Sequence, residues 1–458
     1  MSRRRNIGPI ETTTNARGKI FRTTETILSV SKRKRVLSGM RPTGRLHLGH
    51  YFGALQNWLK LQDEYDCFYF VADWHALTTH YEDTATIAEN TRQVATDWLA
   101  VGLDPAKSTL FVQSQVLEHA ELHVLLSMIT PLSWLERVPT YKEQIENLKG
   151  RDLGTYGFLG YPLLQSADIV MYGEPKQELL VPVGEDQAPH VEITREVVRR
   201  FNFQYGFKMK EALFAEENKR LLASETMLSI IGDGLIPAAG HSYSEGQKNK
   251  IRSVLLRQAR EVGVANFLAW LQPTKLKEFF TEAAILREPS YLPTETPRLP
   301  GLDGRRMAKS YNNAIWLSDP PDEIRTKVRN MLTDPQRVRR TDPGRPEVCP
   351  VFAWHKLFSP PDVVSWADQG CRTAGIGCVD CKSKMADNLV RWIEPIQTRR
   401  KEFEAHPQQV WDILDTGSKQ AQKAARKTMK RVRNAIFQWD EARKAPAAPS
   451  KPAAASGE

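Results

Sequence analysis

The sequence lacks an apolar run of the ~18 residues that a membrane-spanning helix needs, and it lacks the apolar segment of a secretory signal. Its five cysteines among 458 residues are too few for a disulfide scaffold, which favours a reducing compartment. These absences exclude a membrane protein and a small secreted protein, and we expect a cytoplasmic location. With 41% hydrophobic residues, the chain has enough apolar side chains for a large core and two or three domains.

The positive charge is concentrated at one end of the chain. The formal net charge is +10, and residues 1–35 carry ten Lys and Arg against two Glu, so the remainder is close to balanced. This basic N-terminal arm is expected to be disordered, and it either contacts RNA phosphates or is simply solvated. It also shares the Arg-rich, acid-poor composition of organellar transit peptides, but Pro9 and the missing amphipathic stripe weigh against that interpretation.

Short apolar runs alternate with helical patterns from Val36 onward. The runs predict strands at 36–39, 67–72, 109–112 and 179–183. Alternation of this kind predicts an α/β fold with a Rossmann-like parallel sheet covered by helices on both faces. Ligands of such sheets bind at the carboxyl ends of the strands.

Changes in composition divide the rest of the chain. We expect a Rossmann-like domain over 36–205 that is completed over 288–318 by a glycine-rich loop, and a helical module inserted at 206–287. A mostly α-helical domain is predicted over 319–440. The low-complexity tail over 441–458 is expected to be disordered.

Three short motifs occupy positions that suit a nucleotide site. HLGH at 47–50 follows the first strand and opens a helix, whose free N–H groups suit phosphate. GEDQ at 184–187 follows the fourth strand, where carboxylates suit a ribose or an ammonium group. RMAKS at 306–310 lies on the glycine-rich loop, which places a lysine near a triphosphate. Each motif alone is as compatible with a helix cap or a surface loop.

The order of the motifs is specific, because HLGH near the start and RMAKS far downstream are the paired ATP signatures of class I aminoacyl-tRNA synthetases. Together with FVADWHALT at 70–78, YPLLQSAD at 161–168, VPVGEDQ at 181–187 and TDPQRVRRTDPG at 333–344, they give a close resemblance to bacterial tryptophanyl-tRNA synthetases. The resemblance covers roughly 36–205 and 288–437.

This resemblance implies a tryptophan–tRNA ligase that activates L-tryptophan with ATP and Mg²⁺, charges tRNA(Trp) and forms a homodimer. It implies that the helical domain binds the anticodon, and that His47, His50, Arg306 and Lys309 stabilise the reacting phosphates. The ATP contacts it implies come from Arg41, Pro42, Thr43, Gly49, His50, Gly184, Glu185, Asp186, Leu299, Arg306, Met307, Ala308, Lys309 and Ser310. Gln165, Asp168 and Gln187 would bind tryptophan, with Asp168 accepting the indole N–H.

The sequence departs from the family pattern at three positions. Arg306 and Ala308 replace the first lysine and the first serine of the KMSKS loop, and His50 replaces a frequent asparagine. Ala308 removes a hydroxyl, which puts one contact between the loop and phosphate in doubt.

Two other functions remain possible at this point. A tyrosine–tRNA ligase would share the spacing of Tyr161, Gln165 and Asp168, but the apolar first strand suits indole better than a phenol. A non-catalytic RNA-binding or redox-sensing paralogue would not need Lys309, Asp168 and the other nucleotide motifs.

Four of the five cysteines form a second candidate site. Cys349, Cys371, Cys378 and Cys381 end in a C-x2-C pair, and their thiolates are soft ligands for zinc or for iron–sulfur clusters. A subset of tryptophanyl enzymes carries a four-iron four-sulfur cluster at nearly this spacing, so the resemblance favours the cluster, with zinc as the alternative. Cys67 lies in an apolar run and is expected to be a core residue.

Overall fold

The computed structural model describes residues 34–139, 141, 154–184, 188–238, 240–293, 299–439 and 443. The basic arm up to residue 33 and nearly all of the predicted tail lie outside these residues, as do Glu185, Asp186 and Gln187. Within the described ranges, no helix is both long enough and apolar enough to cross a membrane.

The strands are β1 Arg35–Met40, β2 Asp66–Val71, β3 Ser108–Val112, β4 Leu179–Val183, β5 Phe207–Met209, β6 Phe280–Glu282 and β7 Ser290–Pro293. Five of them form a parallel sheet at the centre of the fold, in the order β3-β2-β1-β4-β7. A small antiparallel pair, β5 and β6, lies outside it. The prediction of a parallel α/β sheet is confirmed. Strand β7 was missed because its residues are largely exposed and one of them is a proline.

Helices cover the sheet and form most of the remaining described chain. The first, α1, is an α-helical turn Leu48–His50, a π-helical segment Tyr51–Leu55 and an α-helix Gln56–Glu64. The next are α2 Asp73–His80, α3 Ile87–Val101, α4 Glu118–Ser127, α5 Leu132–Glu136, α6 Tyr156–Leu159, α7 Tyr161–Met171 and α8 Ala188–Gly206. The others are α9 Lys219–Leu222, α10 Glu225–Ile231, α11 Glu245–Val262, α12 Val264–Leu271, α13 Pro321–Arg329, α14 Pro350–Phe358, α15 Pro361–Arg372, α16 Cys378–Ala405 and α17 Pro407–Phe437.

Successive residues of the strands enter two different cores, one on each face of the sheet. Val36 packs into one core and Leu37 into the other, as the two-residue period of a strand requires. Cys67 is buried in the first core, which confirms its predicted role. The C-terminal helices share these cores, since α16 contributes Leu389 to the first and α17 contributes Ala421 to the second.

Helix α17 approaches β3 at a glycine. A Cβ atom on Gly417 would lie 1.8 Å from the carbonyl oxygen of Leu110, so no larger residue fits there. The neighbouring Ser418 side chain accepts a hydrogen bond from the backbone N–H of Val112 at 3.3 Å. The C-terminal helical region therefore packs directly against the edge of the sheet.

The segment between β5 and β6 has a hydrophobic core of its own. Side chains from Phe207 to Phe280 form this third core, which includes the fully buried Leu255 and Phe267. Strands β5 and β6 pair at the base of the segment, with Phe207 opposite Glu282. This arrangement suits an inserted module at 206–287, which remains a proposal.

Candidate active site

The HLGH motif is held between the sheet and the chain that follows the RMAKS loop. His47 pairs with Trp316 in an antiparallel bridge. Leu48 N–H donates to the carbonyl oxygen of Ile315, and Leu317 N–H donates to that of Leu46, each at 2.9 Å. Two segments that are distant in sequence are thus fixed side by side where β1 ends.

The two histidines of the motif lie against each other at the start of α1. Their ring centroids are 3.7 Å apart, and a Cβ atom on Gly49 would lie 2.9 Å from the His47 ring. Burial, followed by the charge of Lys309, lowers the pKa of His47 to about 4. Burial, the neighbouring His47 and two cations lower the pKa of His50 to about 2. Both side chains are therefore neutral at pH 7 and act as hydrogen-bonding groups rather than as cations.

The RMAKS motif follows a tight loop that Asn313 organises. The Asn313 amide donates to Oδ1 of Asp303 at 2.7 Å and to the carbonyl oxygen of Arg306 at 3.1 Å. Its own carbonyl oxygen accepts from Ala308 N–H at 2.9 Å. The sequence did not identify Asn313, although an asparagine just after a phosphate-binding motif is a recognisable loop-forming residue.

Lys309 reaches from this loop to the end of β1. Its ammonium group donates to Oγ1 of Thr43 at 3.2 Å and lies 5.2 Å from the centre of the Trp316 ring. Burial lowers the pKa of Lys309 to about 8. The structure thus brings Thr43, His47, His50 and Lys309 together, and their binding of a triphosphate stays a prediction.

The other predicted ATP residues surround this cluster to different degrees. Pro42 is buried, while Thr43, Arg306 and Ser310 are exposed. Met307 is buried, and its sulfur accepts a hydrogen bond from Gly49 N–H at 3.3 Å. Leu299 belongs to the core beneath the loop, and Gly184 directly follows β4.

Arg41 connects the ATP signatures to the second half of the site. Its guanidinium donates to the hydroxyl of Thr79, which lies on α2. The same helix carries His75, a partner of the predicted tryptophan-binding carboxylate.

Asp168 lies on α7 and is surrounded by hydrogen-bond donors. Gln113 Nε2 lies 2.9 Å from both of its oxygens, His75 Nε2 lies 2.8 Å from Oδ2, and His119 Nδ1 lies 2.6 Å from Oδ1. Gln113 directly follows β3, and His75 lies in the first turn after β2. The cluster therefore lies at the carboxyl edge of the sheet, where ligands of such folds bind.

The charge of Asp168 is stabilised although its side chain is only 1% exposed. Burial alone would raise its pKa, but the hydrogen bonds and charges of His119 and His75 lower it to about 2. Because an ionised carboxylate only accepts hydrogen bonds, His75 and His119 donate to it, and the other nitrogen of His119 faces the hydroxyl of Tyr172 at 2.7 Å.

Asp168 has no unused acceptor site in this arrangement. Each oxygen accepts two hydrogen bonds, which is about the capacity of a carboxylate. An indole N–H needs one of these donors to move, and His75 is the only one of the three with measurable exposure, at 12% of its side chain. Gln165, one turn before Asp168, is half-buried, and Gln187 lies outside the described residues.

The sequence identified Asp168 but not its three partners. Gln113 and His119 lie in segments of the sequence that match none of the motifs. Their burial depends on packing between β3, α4 and α7. The available signal was the presence of polar residues within three positions after predicted strands, which His75 and Gln113 both show.

Comparison with known proteins agrees with this geometry. A family model described as tRNA synthetases class I (W and Y) matches residues 30–228 and 270–393. The chain belongs to this family. The unmatched residues 229–269 all lie within the predicted insertion.

The similar proteins include enzymes named tryptophan–tRNA ligase. The tryptophan–tRNA ligase of Ralstonia nicotianae is 48% identical over 408 residues, which cover 88% of this chain and 98% of that protein. The Thermotoga maritima enzyme of the same name is 43% identical over 404 residues, with 88% and 98% coverage. A crystal structure of tryptophanyl-tRNA synthetase from Campylobacter jejuni with ADP and tryptophan has a TM-score of 0.65 at 25% identity, and covers 88% of this chain and 99% of its own.

The four C-terminal cysteines of this family member lie at the ends of three helices. Cys349 precedes α14, Cys371 lies in the last turn of α15, and Cys378 and Cys381 lie in the first turns of α16. The thiol of Cys381 is within electrostatic range of the other three, and burial followed by these neighbours raises its pKa to about 12.

The four thiols and the cation beside them are chemically suited to a soft metal centre, but the side chains are not arranged around one metal ion. The nearly buried Arg337 places Nη1 3.7 Å from the sulfur of Cys371, where its charge offsets that of a thiolate. Among the described residues, however, no three His, Cys, Asp or Glu side chains are arranged as ligands of one metal ion. The predicted iron–sulfur cluster is therefore not confirmed.

Proposed function

We propose that this protein is a tryptophan–tRNA ligase, which joins L-tryptophan to tRNA(Trp) at the expense of ATP. The observation that carries the proposal is the pairing of the two ATP signatures with a buried, ionised Asp168 at the same edge of the sheet. The similarity to enzymes named tryptophan–tRNA ligase supports it over nearly their whole length. Both ATP and tRNA are available in the cytoplasm, the location expected from the sequence.

The reaction needs no protein nucleophile. The tryptophan carboxylate attacks the α-phosphorus of ATP in line and releases pyrophosphate, and a ribose hydroxyl of tRNA then takes the acyl group from the adenylate, which releases AMP. The protein aligns the reactants, while Lys309 and the neutral His47 and His50 stabilise the phosphate charge together with Mg²⁺ that accompanies ATP. We propose that Glu185 and Asp186 also contact ATP, as the sequence predicts.

Asp168 provides the discrimination between amino acids. A buried carboxylate is satisfied by an indole N–H, whereas phenylalanine would displace a donor without replacing it. Sites of this kind reject an analogue that lacks the donor by about 10⁴-fold or more. Tyrosine also carries a donor, but Leu37 of β1, which packs into the same core as α7, is apolar and offers no partner for the phenol.

The proposed function is tested by charging a tRNA(Trp) transcript with labelled tryptophan, with a tRNA(Tyr) transcript and tyrosine as the matched control. We expect ATP-dependent charging of tRNA(Trp) only. Charging of tRNA(Tyr) with tyrosine would assign the chain to the other branch of its family, and charging of neither would favour a non-catalytic paralogue.

We further propose that Cys349, Cys371, Cys378 and Cys381 hold a four-iron four-sulfur cluster, with zinc as the alternative. The support is the number of thiols, their positions at the ends of three helices and the nearby Arg337. Bound there, such a cluster would fix α14, α15 and α16 to one another.

Protein purified without oxygen should contain about four irons per chain. Cys378→Ser should lose this iron, whereas the control Cys67→Ser, in the core of the sheet, should keep it. Adenylate formation should persist in Cys378→Ser while tRNA charging weakens. One zinc and no iron would replace the cluster with a zinc site, and neither metal would remove the metal proposal.

We also propose that the protein is a homodimer. Leu117, Val124 and Met128 lie along one side of α4 and its two ends with 65%, 49% and 73% of their surfaces exposed, and Leu132 and Tyr156 are further exposed apolar side chains. A second copy is the occupant that we propose, because a two-fold interface brings the same exposed apolar side chains of both copies together.

Light scattering should give twice the chain mass for the wild type. Met128→Glu should give the chain mass, whereas the control Val338→Glu, at a residue that is 83% exposed elsewhere, should stay dimeric. A monomeric wild type would contradict the proposed dimer.

A further inference from the structure

A fully buried ion pair joins the C-terminal helix α16 to the first ATP signature. Arg400 donates from Nε to Oδ1 of Asp97 at 2.7 Å, and the two side chains are 3% and 0% exposed. The other oxygen of Asp97 accepts the backbone N–H of Leu46 at 2.7 Å. Leu46 directly precedes the HLGH motif, so one carboxylate connects α16 with the backbone of that motif.

Neighbouring residues of α16 hold the chain that follows the second ATP signature. The Gln397 amide donates to the carbonyl oxygens of Leu317 at 3.2 Å and of Asp319 at 2.7 Å. Leu317 is itself hydrogen-bonded to Leu46. One turn of α16 thus holds both segments that form the phosphate site.

The ion pair of Arg400 and Asp97 is better explained by a role in the phosphate site than by stability alone. Burying two charges costs free energy that their attraction rarely exceeds, so such pairs contribute little net stability compared with apolar residues. Asp97 also lies within electrostatic range of Lys309, the cation of the phosphate site. The family match ends at residue 393, so Gln397 and Arg400 lie beyond it.

We propose that Arg400 is a positioning residue for ATP: through Asp97 it fixes the backbone of the HLGH motif in the place where that motif meets the phosphates. This inference rests on the proposed ATP-dependent function. Reacting groups displaced by about 1 Å lose rate steeply, so a loosened motif weakens the use of ATP before it affects the tryptophan site around Asp168.

The test compares full-length variants in tryptophan-dependent pyrophosphate exchange and in equilibrium binding of ATP alone. Arg400→Met should raise the KM and the dissociation constant for ATP by about tenfold, with the KM for tryptophan within twofold. Arg400→Lys keeps the charge and should recover part of the ATP affinity. The control is Arg431→Met, which removes an arginine that bonds the carbonyl oxygen of Gly173, away from the signatures.

Arg400→Met leaves Asp97 buried without its charged partner and is able to unfold the chain, so Asp97→Asn/Arg400→Gln is measured as well. This variant removes both charges of the pair and should still bind ATP about fivefold more weakly at an unchanged unfolding midpoint. Unchanged ATP affinity in any folded variant would overturn the inference, and so would parallel losses for ATP and tryptophan. A wild type that binds ATP but exchanges nothing would instead overturn the proposed function.

Discussion

At the residue scale, the charge of Asp168 is maintained inside the protein because three side chains donate to it. The motif text predicted the carboxylate itself, since the segment YPLLQSAD is distinctive. It did not predict Gln113 and His119, because their distance to Asp168 depends on how β3 and α4 pack against α7. An individual candidate residue can thus be predicted from sequence, whereas the groups that set its protonation require the fold.

Replacing this carboxylate tests its role in binding. Asp168→Asn keeps the volume but loses the charge, and a hydrogen bond to a charged group contributes about 1.5–3 kcal/mol. We expect the KM for tryptophan in pyrophosphate exchange to rise about tenfold to a hundredfold, while the KM for ATP stays within twofold. A tryptophan KM within twofold of wild type would show that Asp168 is not the indole partner.

The lowered pKa of Lys309 predicts a pH dependence. Lys309 carries its charge below a pKa of about 8 and loses it as the pH rises through that value. The kcat/KM for ATP, which reports on the free enzyme, should therefore fall above about pH 8.

Lys309→Arg provides the control for this assignment, because a guanidinium stays charged throughout the accessible range. The alkaline fall should disappear in this variant even if its activity at pH 7 is lower. The same fall in wild type and variant would assign the titration to another group.

At the element scale, α17 combines a buried face with a basic one. Ala421, Ala425 and Met429 pack into the second core, while Lys423, Lys427 and Lys430 are exposed on the opposite side. The close contact of α17 with β3 at Gly417 was not evident from the sequence. A lysine-rich face at this position suits the phosphates of tRNA.

The triple variant Lys423→Glu/Lys427→Glu/Lys430→Glu should raise the KM for tRNA at least about tenfold, because three phosphate contacts become repulsive. Tryptophan activation without tRNA should be unchanged. The matched control reverses Lys208, Lys250 and Lys275, which are exposed in the predicted insertion. Equal tRNA losses in both triple variants would indicate a general charge effect and no specific contact.

The insertion is the other element with a testable boundary. Because β5 and β6 pair at its base and its core is its own, joining Phe207 to Glu282 through a short Gly-Ser linker should leave the sheet intact. We expect tryptophan activation within tenfold of wild type, measured by exchange. A soluble, folded variant that forms no adenylate would show that the module is part of the catalytic unit.

At the scale of the whole molecule, the parallel sheet and the carboxyl-edge site followed from the strand pattern and the motif order. The sequence did not reveal how closely the C-terminal helices are joined to the sheet. Leu389 and Ala421 enter opposite cores, and Arg400 reaches Asp97 across a distance of 303 residues in sequence. Contacts of that range depend on the complete fold, so local patterns carry no signal for them.

The activation of tryptophan by this whole arrangement is measured by amino-acid-dependent pyrophosphate exchange with each of the twenty amino acids. We expect rapid exchange with tryptophan, and exchange lower by about 10⁴-fold or more with phenylalanine, which lacks the N–H that we propose Asp168 accepts. Tyrosine should support essentially none. Exchange with tyrosine at a rate comparable to tryptophan, or with no amino acid present, would show that the protein does not activate tryptophan specifically.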